Sequence, residues 1–284
     1  VSFRHLVRIT GEQQKVNPMK RYLSEKITED LNKKMVFVGG PRQVGKTTLA
    51  KSLQPSKNSI YINYDTVDGK DSVLKQEYPK EKFIIFDEIH KYRQWRNFLK
   101  GLFDKFRDEK KILVTGSARL DYYRFSGDSL QGRYYYYRLH PLSVAELKVR
   151  SQNDMKELLN LGGFPEPFFS SSEKEAARWR RDYRHRFIHE EVTSLELTQN
   201  LSAMETLMMR LPDLVGSPLS INSLREDLNI NHITVAKWLD IFERMYGIFR
   251  LSPFGAPKIR AVKKERKHYH YDWSLVSEPS FKFE

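Results

Sequence analysis

Gly40-Pro41-Arg42-Gln43-Val44-Gly45-Lys46-Thr47 follows the apolar run Met35-Val36-Phe37-Val38 and precedes a helix-forming stretch. A glycine-bounded turn between a buried strand and a helix constrains the fold of this chain more than any other feature. Before it, Leu23, Ile27 and Leu31 recur every four residues, one face of a helix. After it, short β-rich runs at 59–63, 83–86, 111–114 and 134–139 alternate with stretches of helical character. The clearest of these puts Trp95, Phe98, Leu99, Leu102, Phe103 and Phe106 on one stripe. Five short strands alternating with helices predict an α/β fold built on a parallel sheet.

The turn matches the phosphate-loop pattern G-x-x-x-x-G-K-[ST], in the strand-to-helix setting that its mechanism requires. Its glycines let backbone N–H groups turn toward phosphates, with Pro41, Arg42, Gln43 and Val44 between them and Thr48 closing the stretch. Lys46 is predicted to bridge the β- and γ-phosphates of a nucleotide, and Thr47 to ligate Mg²⁺. Phe83-Ile84-Ile85-Phe86-Asp87-Glu88 ends a strand in two carboxylates, at the sheet end where α/β folds bind ligands. Asp87 is expected in the Mg²⁺ shell and Glu88 at the attacking water. Ser117, with Thr115 as second choice, is the expected hydroxyl beside the γ-phosphate. Arg133, just before the fifth strand, could project into a neighbouring subunit. Each has a plainer reading: Glu88 as a solvated acid, Ser117 and Thr115 as helix caps, Arg133 as a surface arginine.

Beyond Pro141 the pattern turns helical, broken by Gly162-Gly163-Phe164-Pro165-Glu166-Pro167, so a second unit is expected from about residue 145. Its helical part runs over about 145–200. Residues 201–272 are expected to form a winged helix: a helix at 221–228, a turn at 229–231, an inward-facing second helix, then strands at 248–252 and 267–272 around a basic loop. That second helix carries Lys237 and Arg244 against Asp240 and Glu243, no net charge for a DNA backbone. The loop carries Lys258, Arg260, Lys263, Lys264, Arg266 and Lys267 against Glu265, so the wing is the candidate nucleic-acid contact. A packing or protein-docking role stays open beside it. His185 and His189, four apart and next to Glu190 and Glu191, do not form H-E-x-x-H, and a role other than metal binding is the expectation.

With 49 Lys plus Arg against 36 Asp plus Glu, a net charge of +13, the surface favours polyanions. There is no cysteine, which excludes disulfide scaffolds, cysteine nucleophiles and thiolate metal sites. No apolar run approaches the ~18 residues of a membrane helix, and the first 18 residues lack the apolar core of a secretory signal, so the reading is cytoplasmic. Residues 1–18, ahead of Met19, read as a leader or a disordered extension, and 273–284 as the start of a truncated C-terminal region.

The succession GPRQVGKTT, FIIFDEIHK, VTGSARL, GRYYYYRLHPLS and GGFPEP resembles the AAA+ superfamily, specifically prokaryotic ATPases with a C-terminal winged helix and a following nuclease-like region of unknown function. The resemblance runs over about 19–284, with 19–144 as the ATPase core and 145–200 as a helical lid that should include an arginine contacting phosphates, for which Arg178, Arg180, Arg181 and Arg184 are open candidates. It implies the sheet order 5-1-4-3-2, a homo-oligomer with ATP at a subunit boundary, and an arginine finger that falls on Arg133. The family's further C-terminal region is missing here. The guanine-specific N-K-x-D tetrapeptide is absent after the loop, which favours ATP over GTP. The expected function is Mg²⁺-dependent ATP hydrolysis coupled to the winged helix, on DNA or on a protein partner. The alternative is a nucleotide-gated switch or DNA-binding regulator with little turnover.

Overall fold

The structure is a computed structural model that describes residues 19–55, 57–76, 78, 80–118, 120, 130–192, 200–254 and 265–276. The leader 1–18, most of the basic loop including Lys258, Arg260, Lys263 and Lys264, and the tail 277–284 lie outside the described residues. Helix α1 (Ser24–Asp30) leads into β1 (Met35–Gly39), and α2 (Lys46–Ser52), β2 (Ser59–Asn63), α3 (Val67–Lys75), β3 (Phe83–Asp87), α4 (Trp95–Phe106), β4 (Lys111–Thr115) and β5 (Tyr134–Arg138) follow. The five strands form one parallel sheet in the order β2-β3-β4-β1-β5, which is the expected 5-1-4-3-2 read from the other edge.

The apolar runs become strands because the sheet is covered on both faces. Every residue of β1 and β3 is buried. Alternate residues serve opposite layers, as the period of two dictates. Phe37, Ile84, Phe86, Ile112 and Val114 meet Trp95, Phe98, Leu99 and Leu102 of the α4 stripe. Val36, Val38, Ile85 and Leu113 meet Ile27, Leu49 and Ala50, and beyond them Phe164, Trp179 and Tyr183. Full burial of each such side chain contributes about 1.5–3 kcal/mol. The central strands β3, β4 and β1 all end at one edge, where Asp87 pairs in register with Thr115 and Thr115 with Val38.

After the sheet come α5 (Gln152–Leu161), α6 (Pro165–Ser170), α7 (Glu173–Arg186) and a π-turn at Phe187–Val192. Three more helices, α8 (Leu201–Arg210), α9 (Ile221–Leu228) and α10 (His232–Arg244), precede an antiparallel ribbon of β6 (Phe249–Leu251) and β7 (Lys267–Tyr269). Their own core joins Met204, Leu207, Leu224, Val235, Trp238 and Phe242 to Phe187 and Ile188 of the π-turn. The Gly162-Gly163 pair has a packing reason: a Cβ on Gly162 would come within 2.3 Å of Ser274 Oγ, and Gly163 N–H donates at 2.5 Å to the buried Asp272. Burial pushes the Asp272 carboxyl above its ordinary range. The segment at 272–275 is thereby seated on the helices that follow the sheet.

Candidate nucleotide-binding site

The loop between β1 and α2 is shaped by three residues with positive φ, Gly40 (141°), Gln43 (60°) and Gly45 (92°). A Cβ on Gly40 would meet Leu139 O at 2.3 Å, so only glycine fits where the loop leaves the sheet. Val44 is fully buried and anchors the loop to the core beneath it. Gly45 is the N-cap of α2 and brings no side chain to the first amides of that helix. Lys46, also buried, reaches back so that Nζ donates to Gly40 O (3.0 Å) and Pro41 O (2.6 Å), which places its ammonium inside the curve of the loop. Thr48 stands in the first turn of α2.

Asp87 is the hub of the site. Its buried carboxylate accepts from Thr47 Oγ1, Tyr61 OH and Thr115 Oγ1, each at 2.7 Å. One carboxylate thus ties the first turn of α2 to the ends of β3 and β4 and to the middle of β2. Burial and the adjacent Asp87 carboxylate hold the Tyr61 phenol protonated far above its ordinary range. Thr47 and Asp87 place two hard oxygens side by side, the donor type that Mg²⁺ takes. With the inward-turned loop and Lys46, they fit a nucleoside triphosphate and its magnesium ion.

Glu88 adopts a left-handed conformation, φ 56° and ψ 21°, unusual for a residue with a side chain. The turn aims its carboxylate back along the sheet edge, where Ser117 N–H donates to Oε1 at 3.1 Å. Oε2 lies 3.4 Å from Lys91 Nζ and 3.6 Å from Nε2 of the buried His90. The backbone follows suit, with Glu88 N–H donating to Thr115 O at 3.0 Å. Ser117 therefore meets Glu88 through its amide, while the Thr115 hydroxyl is held by Asp87.

Arg133 stands apart. It precedes β5, whose far end, Arg138, pairs with Gly39 at the loop. Five residues of strand put it roughly 17 Å from the phosphate loop of its own chain. Its guanidinium makes a bidentate pair with Asp104 of α4, 2.8 and 3.1 Å. Three of the four candidate arginines of α7 have partners away from the loop: Arg184 donates to Leu275 O, Arg180 to Asn160 O, and Arg178 pairs with Asp182.

Two buried residues at the loop carry no local signal in the sequence. Arg21, just before α1, donates to Val44 O (2.9 Å), to His140 O (2.7 Å) and to Glu146 Oε1 (2.7 Å). Glu146 also accepts from the amides of Tyr22 and Ser143. This clasp binds the phosphate loop to the segments before α1 and after β5. The GRYYYYRLHPLS stretch ends three residues short of Glu146, and that proximity is the only hint of it in the sequence. The loop tip reaches in the other direction, Arg42 to Glu190 of the π-turn (2.7 Å) and Gln43 to Glu166 of α6 (3.3 Å).

Removing Glu146 leaves a buried guanidinium unpaired, so Glu146→Ala is expected to lower unfolding stability by about 3 kcal/mol at pH 7. Burial pushes the Glu146 carboxyl up, but the Arg21 hydrogen bond and the Ser143 and Tyr22 amides outweigh it and hold it below its ordinary 4.5. A depressed carboxyl stabilises above its unfolded value and loses that contribution as pH falls through its folded value. The gap between wild type and Glu146→Ala should therefore narrow below about pH 4.5. Urea unfolding at pH 7 and pH 3.5 measures it, and a gap that is equal at both would refute the clasp as an ionic contribution.

Similarity to known proteins agrees with this geometry. Residues 32–148 match the family model described as the AAA domain. The AAA-domain stretch thus holds the five strands, the phosphate loop and the acidic pair. Residues 152–279 match a second model, a domain of unknown function, DUF8612. An uncharacterized protein of Mycobacterium tuberculosis is 24% identical over 248 residues, 85% of this chain and 55% of the relative. One from Methanocaldococcus jannaschii is 23% identical over 300 residues, 86% of this chain and 62% of the relative. The chain thus spans little more than half the length of these relatives. Among solved structures, the Aeropyrum pernix ORC1 protein in complex with DNA aligns with a TM-score of 0.41 at 11% identity, covering 91% of both chains. RuvB of Thermotoga maritima gives 0.36 at 15%, covering 81% of this chain and 88% of that one. Among the described residues no helix is long and apolar enough to cross a membrane.

Proposed function

We propose that this chain is a Mg²⁺-dependent ATPase that cleaves the β–γ bond of ATP and passes its nucleotide state to the C-terminal helices. The observation that carries this reading is the Asp87 hub: one buried carboxylate holds the hydroxyl of the phosphate loop while the next residue, Glu88, is aimed along the same edge by the Ser117 amide. Mg²⁺-ATP supplies the transferable phosphoryl group and the cation that offsets its charge. Lys46 holds the phosphates, Thr47 and Asp87 orient the ion, and Glu88 takes a proton from water. Asp87 also links Thr47 to Thr115 and Tyr61, so a change at the phosphates is felt in three strands. From the loop tip, Arg42 and Gln43 carry it to Glu190 and Glu166.

In this reading 19–144 is the ATPase core, 145–200 the lid and 201–272 a winged helix, for which the order α8-α9-α10-β6-β7 is the support. Arg250 of β6 pairs with Asp240 and Glu243 of α10, each at 2.5 Å, and so offsets one of the two negative charges that oppose a DNA backbone on that helix. Arg266 and Lys267 lead into β7 and belong to the basic wing. Protein docking is the competing use of this unit. A switch with little turnover has one observation in its favour, the Lys91 ammonium and His90 imidazole within 3.6 Å of Glu88 Oε2, which occupy the carboxylate that water would have to reach.

Phosphate release from ATP, measured with and without duplex DNA at several salt concentrations, tests both parts. Turnover requiring Mg²⁺ is expected, and a chain that binds ATP without turnover is the switch. If the wing binds DNA, neutralising Lys263, Lys264, Arg266 and Lys267 together should weaken binding alike across sequences and flatten its salt dependence. Unchanged binding would leave the wing to packing or docking.

A further inference from the structure

We propose that His185, His189 and Glu205 form a binding site for a divalent transition ion of the Zn²⁺ class, separate from the Mg²⁺ position at Thr47 and Asp87. The sequence pairs these histidines with Glu190 and Glu191, but folding gives them a different carboxylate. Glu190 is drawn away to Arg42, and Glu205 arrives from α8. One ligand atom from each of the three groups lies within 4.8 Å of the others, and His189 Nε2 is 2.5 Å from Glu205 Oε1. The two imidazoles stack with centroids 4.1 Å apart and rings 21° from parallel.

A second observation marks the place. His189 lies in the π-turn Phe187–Val192, which directly follows α7, and His185 just ahead of it; π-helical turns are rare and recur at functional positions. Its inner side is fixed by Phe187 and Ile188 in the core, so the histidines are offered on a supported backbone. Bond lengths of about 2.0–2.2 Å put two ligand atoms of a tetrahedral ion about 3.3 Å apart. Seating the ion needs His189 and Glu205 to open by less than ~1 Å and the exposed His185 to swing in, both within the reach of side-chain rotation. Two imidazoles and a carboxylate suit Zn²⁺ and its neighbours over Mg²⁺, which prefers oxygen throughout, and they leave a position for water. The same π-turn carries Glu190 to Arg42, so an ion bound here braces the support of the phosphate loop.

The test uses the full chain stripped with chelator, titrated with Zn²⁺ against a chromophoric indicator in the presence of excess Mg²⁺ and without nucleotide. One equivalent should bind, and His189→Ala, His185→Ala and Glu205→Gln should each weaken it at least 10-fold. Zn²⁺ should raise the thermal midpoint of wild type by several °C and leave those of the variants in place, because only binding to the folded state stabilises it. Glu205→Gln keeps the side-chain volume, and an unchanged metal-free midpoint confirms that it folds. Wild type that takes up no Zn²⁺ at micromolar concentration, or variants that bind it as tightly as wild type, would overturn the site.

Discussion

Glu88→Gln is expected to bind ATP as wild type does and to hydrolyse it at least ~10²-fold more slowly, the usual contribution of a positioned general base. The amide keeps the shape of the carboxylate and can still accept from Ser117 N–H, so the left-handed turn at residue 88 should persist. What it lacks is basicity. Lys46→Ala should do the opposite and abolish tight ATP binding, because it deletes the cation that sits within the loop against Gly40 O and Pro41 O. Binding of a fluorescent ATP analogue and phosphate release, measured on both variants, separate the two roles. Parental turnover by Glu88→Gln under saturating Mg²⁺ would remove Glu88 from the chemistry and leave the loop and Asp87 as a binding site alone.

Arg133→Ala should bind ATP nearly normally and lose ~10³-fold or more in turnover, as expected when an arginine finger is withdrawn from a phosphoryl transfer. The geometry makes this a statement about two subunits. Arg133 lies at the opposite end of β5 from the phosphate loop and is held to α4 by Asp104, so it is out of reach of its own site. That pair also orients the guanidinium at the open edge of the sheet, where a neighbour could dock. An exposed ion pair of this kind adds little to stability, so the variant should fold. Mixing Arg133→Ala with Lys46→Ala should restore part of the activity, since a mixed interface joins an intact loop to an intact arginine. Light scattering must show that the mixture assembles. Full activity of Arg133→Ala, or a rate per molecule that is independent of concentration for a monomer, would exclude a finger in trans.

The strands and the loop were legible because burial leaves a local mark. A run such as Phe83-Ile84-Ile85-Phe86 can only be covered on both faces, and the acids that end it must then lie at the sheet edge. The order of the strands entered through the family resemblance, and the four parallel pairings of the sheet bear it out. Ser117 shows the limit of such reading. The sequence points its hydroxyl at the γ-phosphate, whereas the contact found is from its amide to Glu88, set by a backbone turn that no residue type announces.

By itself the sequence determined the five-stranded α/β core, the phosphate loop and the placing of Lys46, Thr47, Asp87 and Glu88 at one edge, since contiguous residues and short periods encode all of these. Only the tertiary structure decided who partners whom. Arg21 and Glu146, separated by 125 positions, meet under the loop; Tyr61 joins Asp87 across 26; Arg42 finds Glu190 across 148. His189 takes Glu205, 16 residues on, in place of the adjacent Glu190. Such pairs carry no periodicity of their own. They arise where two elements, each folded for its own buried face, come to pack with polar groups between them: a buried charge such as Arg21 must find a partner there, and at an exposed seam such as Arg42–Glu190 the packing alone sets which groups meet.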